Sequence, residues 1–256
     1  MQAVILAGGL GSRLGKETSS IPKPMVEIGG KPILWHIMKT YDLYGINNFI
    51  IACGYKSKVI KDFFINYSNT FTNLRVKFSS NQIEQLQEIK EKWTITLIES
   101  GLSTSTGGRL LKISDYLEEE TFCMTYGDGL AAINISKLLE SHQKSKKLVT
   151  VTAVPSPPRF GDLEITNGNV QKFNEKTQDS NKRINGGYFV LNKAALNYIQ
   201  SETEMWEEEP IRRLISESQL NAFSFDGFWH PMDTIRDKNY LENLVSQRSA
   251  PWMKWK

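Results

Sequence analysis

Three glycines and an arginine follow the first apolar run of the chain, in the segment LAGGLGSRL at residues 6–14. Glycines allow a backbone to approach phosphate oxygens closely and to present a row of N–H donors to them. Arg13, at the end of the turn, adds a charge that can make paired hydrogen bonds to phosphate. A tight strand-to-helix turn without a ligand is the alternative. Three glycines together with an arginine favour a phosphate-bearing ligand.

Two better-known phosphate loops do not fit this segment. A dinucleotide-binding loop, G-x-G-x-x-G, carries Gly or Ala at its last position, where helix and strand pack closely. Here the run that starts at Gly9 ends at Leu14, which argues against a nicotinamide-dependent oxidoreductase. A P-loop requires Gly-Lys followed by Ser or Thr, whereas Gly30-Lys31 is followed by Pro32.

Lys23 comes soon after the turn, between Pro22 and Pro24. The two prolines restrict the backbone to a stiff, extended segment. A stiff backbone suits a lysine whose ammonium must contact a phosphate at a fixed position. An exposed loop lysine is the ordinary alternative, but the nearby glycine-rich turn favours the functional interpretation.

Two aspartates, far apart in the sequence, are candidate metal ligands. Asp128 follows a predicted strand between Gly127 and Gly129, and Asp233 precedes Thr234. An Asp-Gly turn and a helix N-terminus are their respective alternatives. Mg²⁺ usually takes one or two protein carboxylates and completes its octahedron with phosphate oxygens and water. If the fold brings the two aspartates together, they would suit a single Mg²⁺ ion.

Alternating strand and helix patterns in the first half must position these residues. Apolar runs predict buried strands, and apolar stripes at helical spacing predict helices. We predict strands at 2–7, 48–53, 74–78, 93–99 and 121–126, and helices at 32–44, after a cap at Ser57, at 107–117 and at 135–146. This order indicates an α/β fold with a doubly wound, mostly parallel, Rossmann-like sheet. Ligands bind at the carboxyl ends of strands in such sheets, so we expect the site in the loops after residues 7, 53, 99 and 127.

The second half has shorter strands that are separated by Pro, Gly and Asn. We predict strands at 148–154, 162–166, 169–174, 184–191 and 221–226, and helices near 193–200, 207–218 and 235–247. These strands indicate hairpins, a mixed sheet and an added β-region. No linker or repeat separates the halves, so we predict one domain over residues 1–256, with halves at 1–130 and 131–256.

Composition places the chain among ordinary globular proteins. Of its 256 residues, 40% are hydrophobic and 23% are charged. A net charge of +3 is too small to indicate a nucleic-acid or membrane-surface partner. The N-terminus lacks a signal-peptide pattern, and no apolar stretch is long enough to span a bilayer, so we expect a cytoplasmic protein. Cys53 and Cys123 interrupt apolar runs and are expected to be buried, unreactive core residues.

The motifs together resemble those of the sugar-1-phosphate nucleotidyltransferases. LAGGLGSRL followed by PKPMVEIGGKPIL is similar to the opening of that family. Later segments agree in order and spacing, so the resemblance covers essentially the whole chain: TYGDG at 125–129, PPRFGDLEI at 157–165, FNEK at 173–176, NGGYFVL at 185–191 and WHPMDT at 229–234. Within the family the chain most resembles the glucose-1-phosphate cytidylyltransferases, because of PKPMVEIGGKPILWHIM, STSTGGRL and the C-terminal APW.

The resemblance implies a Mg²⁺-dependent reaction of CTP with glucose 1-phosphate that releases pyrophosphate. It implies catalytic roles for Arg13, Lys23 and Asp128, and metal ligation by Asp128 and Asp233. The implied nucleotide-binding residues are Leu6, Ala7, Gly8, Gly9, Leu10, Gly11, Ser12, Arg13, Lys23, Thr104, Arg109 and Gly129. The implied sugar-phosphate-binding residues are Gly161, Glu175, Lys176, Asn185 and Gly186. The family usually continues Glu-Lys with proline; Thr177 stands here instead, which loosens the loop but leaves both functional groups.

We hypothesise that Arg109 selects the base of the nucleotide substrate. Cytosine presents acceptors at N3 and O2, whereas N3 of uracil or thymine is a donor, and an arginine side chain only donates. Arg109 facing the base would therefore favour CTP, while a contact to phosphate is the alternative. UTP or dTTP as donor, and a non-catalytic nucleotide or sugar-phosphate sensor, stay open as other functions. The resemblance implies a homo-oligomer, for which a hexamer is one candidate, and residues 79–92, Trp252 and Trp255 are candidate contacts.

Overall fold

The computed structural model describes residues 1–9, 11–156, 162–166, 169–174 and 182–255; side chains at 12, 13, 16, 17, 162–166 and 169–174 lie outside this description. The strands are β1 Gln2–Ala7, β2 Glu27–Ile28, β3 Lys31–Pro32, β4 Asn48–Cys53, β5 Leu74–Lys77, β6 Gln82–Gln85, β7 Thr94–Glu99, β8 Thr121–Tyr126, β9 Gly129–Ala131, β10 Val149–Pro155, β11 Asp162–Thr166, β12 Asn169–Asn174, β13 Arg183–Asn192, β14 Leu220–Ser224 and β15 Trp229–Pro231. The α-helices are α1 Ile33–Asp42, α2 Ser57–Ile65, α3 Tyr67–Phe71, α4 Thr106–Ile113, α5 Ile135–Ser145, α6 Glu209–Ser216 and α7 Ile235–Ser246. Short 3₁₀ helices cover Ser12–Ser19, Lys23–Met25, Ser114–Tyr116 and Lys193–Tyr198.

A seven-stranded sheet in the order β14-β10-β13-β8-β1-β4-β7 forms the centre of the molecule. Strands β8, β1, β4 and β7 run parallel to their neighbours within this group. Strand β13 is antiparallel to both β8 and β10, and β14 again pairs parallel to β10. The predicted α/β class with a mostly parallel, mixed sheet is thus confirmed, and the separate hairpin β11–β12 supplies the predicted additional β-region.

Helices cover both faces of this sheet, which explains why β1 is an unbroken apolar run. Alternate residues of β1 enter two cores: Ile5 packs in the core that contains residues of α1, α5 and α7, and Val4 packs in the core that contains residues of α4 and α6. Cys53 and Cys123 are buried and free, as predicted. Burial raises the pKa of each thiol to about 12.

Several boundaries and placements differ from the sequence prediction. Residues 74–77 form a strand, but its partner is β6, and the hairpin β5–β6 is exposed outside the central sheet. Ser57 does not cap α2; it is the first residue of the helix, after Lys56 in the left-handed region with φ 50°. The helix predicted near 193–200 is a 3₁₀ segment.

The C-terminal segment folds back onto α1. Trp252 is buried, and its Nε1–H donates to Nδ1 of His36, 3.3 Å away, while Nε2 of His36 lies 2.8 Å from the carbonyl of Ile28. The prediction of Trp252 as a subunit contact is therefore wrong, because its indole packs inside its own chain. Among the helices of the described ranges, none combines the length and apolar character needed to cross a bilayer.

Candidate active site

The short antiparallel pair β9–β15 brings the two predicted metal ligands together. Asp128 lies between β8 and β9, and Asp233 lies two residues after Pro231, the last residue of β15. Gly129 pairs with Pro231, and the amide of Met232 donates to the carbonyl of Asp128 at 2.8 Å. Carboxylates that are 105 residues apart in the chain thus meet at the carboxyl end of β8.

Lys23 lies between these two carboxylates. Its Nζ donates to Asp128 Oδ2 and to Asp233 Oδ1, at 2.7 Å in each case. Pro22 is extended with ψ 151°, and Lys23 begins a short 3₁₀ turn, so the backbone presents the side chain from a fixed position. The Lys23 side chain is only 12% exposed. Burial alone would lower the pKa of Lys23, but Asp128 and Asp233 outweigh it and raise that pKa.

The loop that carries Asp233 is held by Asp237 in the first turn of α7. Asp237 Oδ2 accepts hydrogen bonds from the backbone amides of Asp233 and Thr234, at 3.1 and 2.8 Å, and forms a capping box with Thr234. His230 Nε2 lies 3.2 Å from Asp237 Oδ1. Burial would raise the pKa of Asp237, but these hydrogen bonds and His230 lower it. His230 therefore acts on the Asp233 loop through Asp237.

A cavity of about 660 Å³ opens at the carboxyl ends of the central strands. It contains most of the described residues that were predicted to bind nucleotide. These are Leu6, Ala7, Gly8, Gly9, Gly11, Lys23, Thr104 and Arg109, together with Asp128 and Asp233. The predicted ligand loops after residues 7, 99 and 127 all contribute to it.

Glycines in the first loop are required by close contacts and by backbone angles. Gly11 has φ +63°, and a Cβ there would lie 2.8 Å from Cβ of Lys23. A Cβ on Gly8 would lie 1.9 Å from Nη1 of Arg109. The glycine-rich turn therefore packs directly against two side chains of the site, which a larger residue would displace.

Arg109 makes hydrogen bonds to residues at or just after the carboxyl ends of β1, β4 and β7. It is 5% exposed, and Nη1 donates to the carbonyl of Cys53 at 3.3 Å and to the Ser100 hydroxyl. Its Nη2 donates to the carbonyls of Gly8 at 3.1 Å and Leu102 at 3.5 Å. Sequence reasoning placed Arg109 at the ligand and missed these backbone contacts, which anchor the loops after β1, β4 and β7.

A smaller cavity of about 190 Å³ adjoins the larger one at Asp128, Asp233 and Tyr126. It contains Asn185 and Gly186 from the predicted sugar-phosphate set, and Gly129, which was predicted on the nucleotide side. Trp229 also lines this cavity, and its Nε1–H donates to the carbonyl of Gly186 at 2.7 Å. Trp229 and Tyr126 lie inside the motifs WHPMDT and TYGDG, but nothing in the sequence distinguishes them there from packing residues.

Some predicted site residues fall outside the described part of the structure. Leu10, Gly161, Glu175 and Lys176 are among them, and so are the side chains of Ser12 and Arg13. Their predicted roles stay predictions. Within the described residues no cluster of three or more His, Cys, Asp or Glu side chains could hold a metal ion, so a protein cage for a metal is not formed there. The pair Asp128 and Asp233 suits an ion that also takes ligand oxygens.

Known proteins resemble this chain over its full length. A family model described as "Nucleotidyl transferase" matches residues 2–242. The glucose-1-phosphate cytidylyltransferase of Salmonella typhimurium is 48% identical over 256 residues, 100% of each chain. A probable glucose-1-phosphate cytidylyltransferase of Bacillus subtilis is 41% identical over 256 residues, again 100% of each chain. The crystal structure of HddC from Yersinia pseudotuberculosis superposes with a TM-score of 0.68 at 24% identity, over 95% of this chain and 99% of that one.

The solved structure confirms the fold, and the family model together with the full-length relatives confirms the resemblance read from the motifs. The chain belongs to the nucleotidyl transferase family.

Proposed function

We propose that the chain transfers a cytidylyl group from CTP to α-D-glucose 1-phosphate, which gives CDP-glucose and pyrophosphate. Relatives named for this activity match the whole chain at 48% and 41% identity. The observation that carries the proposal is Lys23 between Asp128 and Asp233, where the larger cavity adjoins the smaller one. One cation and two carboxylates at the junction of two ligand cavities suit a transfer between two anionic substrates.

In the proposed reaction a phosphate oxygen of glucose 1-phosphate attacks the α-phosphorus of CTP. One P–O bond forms there, and the P–O bond to the β-phosphate breaks, with its electron pair leaving on pyrophosphate. Such a transfer depends on positioning and charge neutralisation more than on proton transfer. Lys23 supplies positive charge beside the transferring phosphate once its ammonium turns away from the carboxylates. Arg13 is proposed to hold the leaving phosphates, as the family resemblance implies.

Asp128 and Asp233 are the proposed Mg²⁺ ligands. Their oxygens already lie around a cation, Lys23 Nζ, so the donor set suits a hard metal ion. When bound, Mg²⁺ offsets charge that develops on the reacting phosphates. Because Lys23 Nζ lies 2.7 Å from an oxygen of each carboxylate, its ammonium would have to release them if they held a metal ion, and the nucleotide phosphates would then accept its hydrogen bonds.

Base choice is proposed to depend on Arg109. Four carbonyl or hydroxyl oxygens of the protein already accept from its Nη groups, and the bond to Leu102 is the longest of these at 3.5 Å. A contact from either Nη group to cytosine would require one of these four bonds to be given up. If Arg109 instead acts through the loops it anchors, its loss would weaken all nucleotides alike and leave the preference for CTP unchanged.

The deciding experiment is a pyrophosphate-release screen. The full chain is incubated with Mg²⁺, one of CTP, UTP, dTTP or GTP, and one of several hexose 1-phosphates. We expect release with CTP and glucose 1-phosphate above all other pairs. Release with UTP or dTTP instead would support the alternative donor, and nucleotide binding without release for any pair would support a non-catalytic sensor.

We also propose that the chain is a cytoplasmic homo-oligomer. The exposed hairpin β5–β6 supports self-association, because several apolar side chains point outward there; Phe78 at its turn is 92% exposed, and Val76 and Ile83 are also exposed. Exposed apolar patches of this kind often mark interfaces. Light scattering coupled to gel filtration would contradict the proposal if the chain eluted as a monomer at micromolar concentration.

A further inference from the structure

Tyr126, the last residue of β8, forms the wall between the two cavities together with Asp128 and Asp233. Its side chain lines both of them. Gly187 lies close to the ring, since a Cβ there would lie 2.8 Å from Tyr126 Cδ2, and the ring packs nearly perpendicular to that of Phe189 with the ring centroids 6.1 Å apart. The position of the phenol therefore contributes to how the smaller cavity is separated from the larger one.

Glu207, just before α6, binds the hydroxyl of Tyr126. Its Oε1 accepts from that hydroxyl, and its Oε2 accepts from Thr106 Oγ1 at 2.6 Å. Thr106 is the first residue of α4 and lines the larger cavity. On the other side, Asn185 Nδ2 donates to the Tyr126 hydroxyl at 3.4 Å. These bonds form a continuous chain from the nucleotide side of the site to the sugar side.

We propose that Glu207 is a positioning residue that holds Tyr126 as part of the wall between the cavities and thereby sets the affinity for the sugar phosphate. This inference rests on the proposed function, because it identifies the smaller cavity as the sugar-phosphate site. An ionised carboxylate only accepts hydrogen bonds, so both of its oxygens can take a hydroxyl donor at once. In its contact with Glu207 the Tyr126 hydroxyl is the donor, and Thr106 Oγ1 is the donor to the other carboxylate oxygen.

The same contacts would exist if Glu207 only fastened the segment before α6. That segment is already held elsewhere: Ser105 Oγ donates to the carbonyls of Glu202 and Glu204, and the Trp206 amide donates to Thr106 Oγ1 at 2.9 Å. Loss of the Glu207 carboxylate would then change stability but leave sugar-phosphate affinity intact. A split between the two substrates therefore distinguishes a positioning role from a structural one.

The test compares Glu207→Gln, Tyr126→Phe, the double variant and Glu208→Gln. Glu208 is the matched control, because it is the neighbouring exposed glutamate and makes no side-chain capping bond. Exchanging a charge-assisted hydrogen bond for a neutral one predicts that Glu207→Gln raises KM for glucose 1-phosphate about 5–10-fold. KM for CTP should change less than about 3-fold, and Glu208→Gln should match the wild type in both. Since Glu207 acts through the phenol, the double variant should be no worse than the weaker-binding single variant.

A second measurement reports on the phenol without turnover. Tyrosine labelled with ¹³C at Cζ gives one NMR signal per ring, and the Tyr126 signal is the one that disappears in Tyr126→Phe. Glu207→Gln should shift it, and Glu208→Gln should not. An unshifted signal, or a KM for glucose 1-phosphate within twofold of wild type, would overturn the inference. An inactive wild-type chain would contradict the proposed function instead, and the NMR comparison would still decide whether Glu207 positions Tyr126.

Discussion

Replacing Lys23 by methionine tests how the site holds its charges before substrates arrive. The substitution keeps an unbranched side chain as far as Cε and removes the ammonium between Asp128 and Asp233. A metal ion held by these carboxylates would compete with this ammonium, since Nζ lies 2.7 Å from an oxygen of each carboxylate. We therefore expect Lys23→Met to bind Mn²⁺ or Mg²⁺ more tightly than the wild type, although it loses catalytic activity.

The size of the gain follows from the two bonds that the ammonium makes. Each hydrogen bond to a charged group contributes about 1.5–3 kcal/mol. The two carboxylate side chains are 34% and 25% exposed, so solvent screens part of this contribution and hydrates the carboxylates when the ammonium leaves. A remaining difference of about 1–2 kcal/mol corresponds to roughly 5–30-fold tighter metal binding in the variant.

Isothermal titration of the nucleotide-free proteins with Mn²⁺ measures this difference. Lys193→Met is the matched control, because Lys193 is also partly buried and its Nζ donates to a backbone carbonyl, that of Leu117 at 2.9 Å. That variant should bind Mn²⁺ as weakly as the wild type. Equal or weaker binding by Lys23→Met would refute the reasoning, and an equal gain in Lys193→Met would show that any lost lysine has this effect.

Three further outcomes follow from the contacts described. Gly8→Ala should lower the free energy of unfolding in urea by about 1–3 kcal/mol, because its Cβ would overlap Arg109 Nη1, and Gly8→Ala added to Arg109→Ala should cost much less. Asp237→Asn should lose about 1 kcal/mol of capping free energy at pH 7. Folding lowers the pKa of Asp237, so this contribution is present above the pKa of the unfolded state and is lost as pH falls through the pKa of the folded state. The stabilities of wild type and variant in urea melts should therefore converge below about pH 4. Cys53 and Cys123, with thiol pKa values raised by burial to about 12, should resist a thiol reagent in the native protein at pH 8 and react after unfolding; fast native labelling would contradict their burial.

The central fold could be predicted because its strands are buried on both faces. Short apolar runs such as QAVILA and NFIIAC, each followed by Gly, predict buried strands, and the observed bounds of β1 and β4 equal the predicted ones. The pair β9–β15 could not be predicted in this way. Each strand has three residues, too few to show a period, and their pairing joins positions about a hundred residues apart.

Some residues of the candidate site could be predicted for the same reason, and others could not. Lys23, Asp128 and the glycine-rich turn follow predicted strands or stiff segments, so their neighbourhood could be inferred. Glu207 lies in a run of three glutamates, and nothing in that run distinguishes it from a solvated surface. Its contact with Tyr126 depends on tertiary packing alone, as do the backbone carbonyls that Arg109 binds.

Because β9 and β15 are far apart in the sequence, the two aspartates of the site are translated at different times. A nascent chain carries the glycine-rich turn, Lys23 and Asp128 well before Asp233 has been translated. At about 5–20 residues per second, the 105 residues between Asp128 and Asp233 take on the order of 5–20 s to translate. Until residue 233 has been added, the partly made protein has a single carboxylate at the junction of the cavities. If both aspartates hold the metal ion, as proposed, chains that stop before β15 should be inactive.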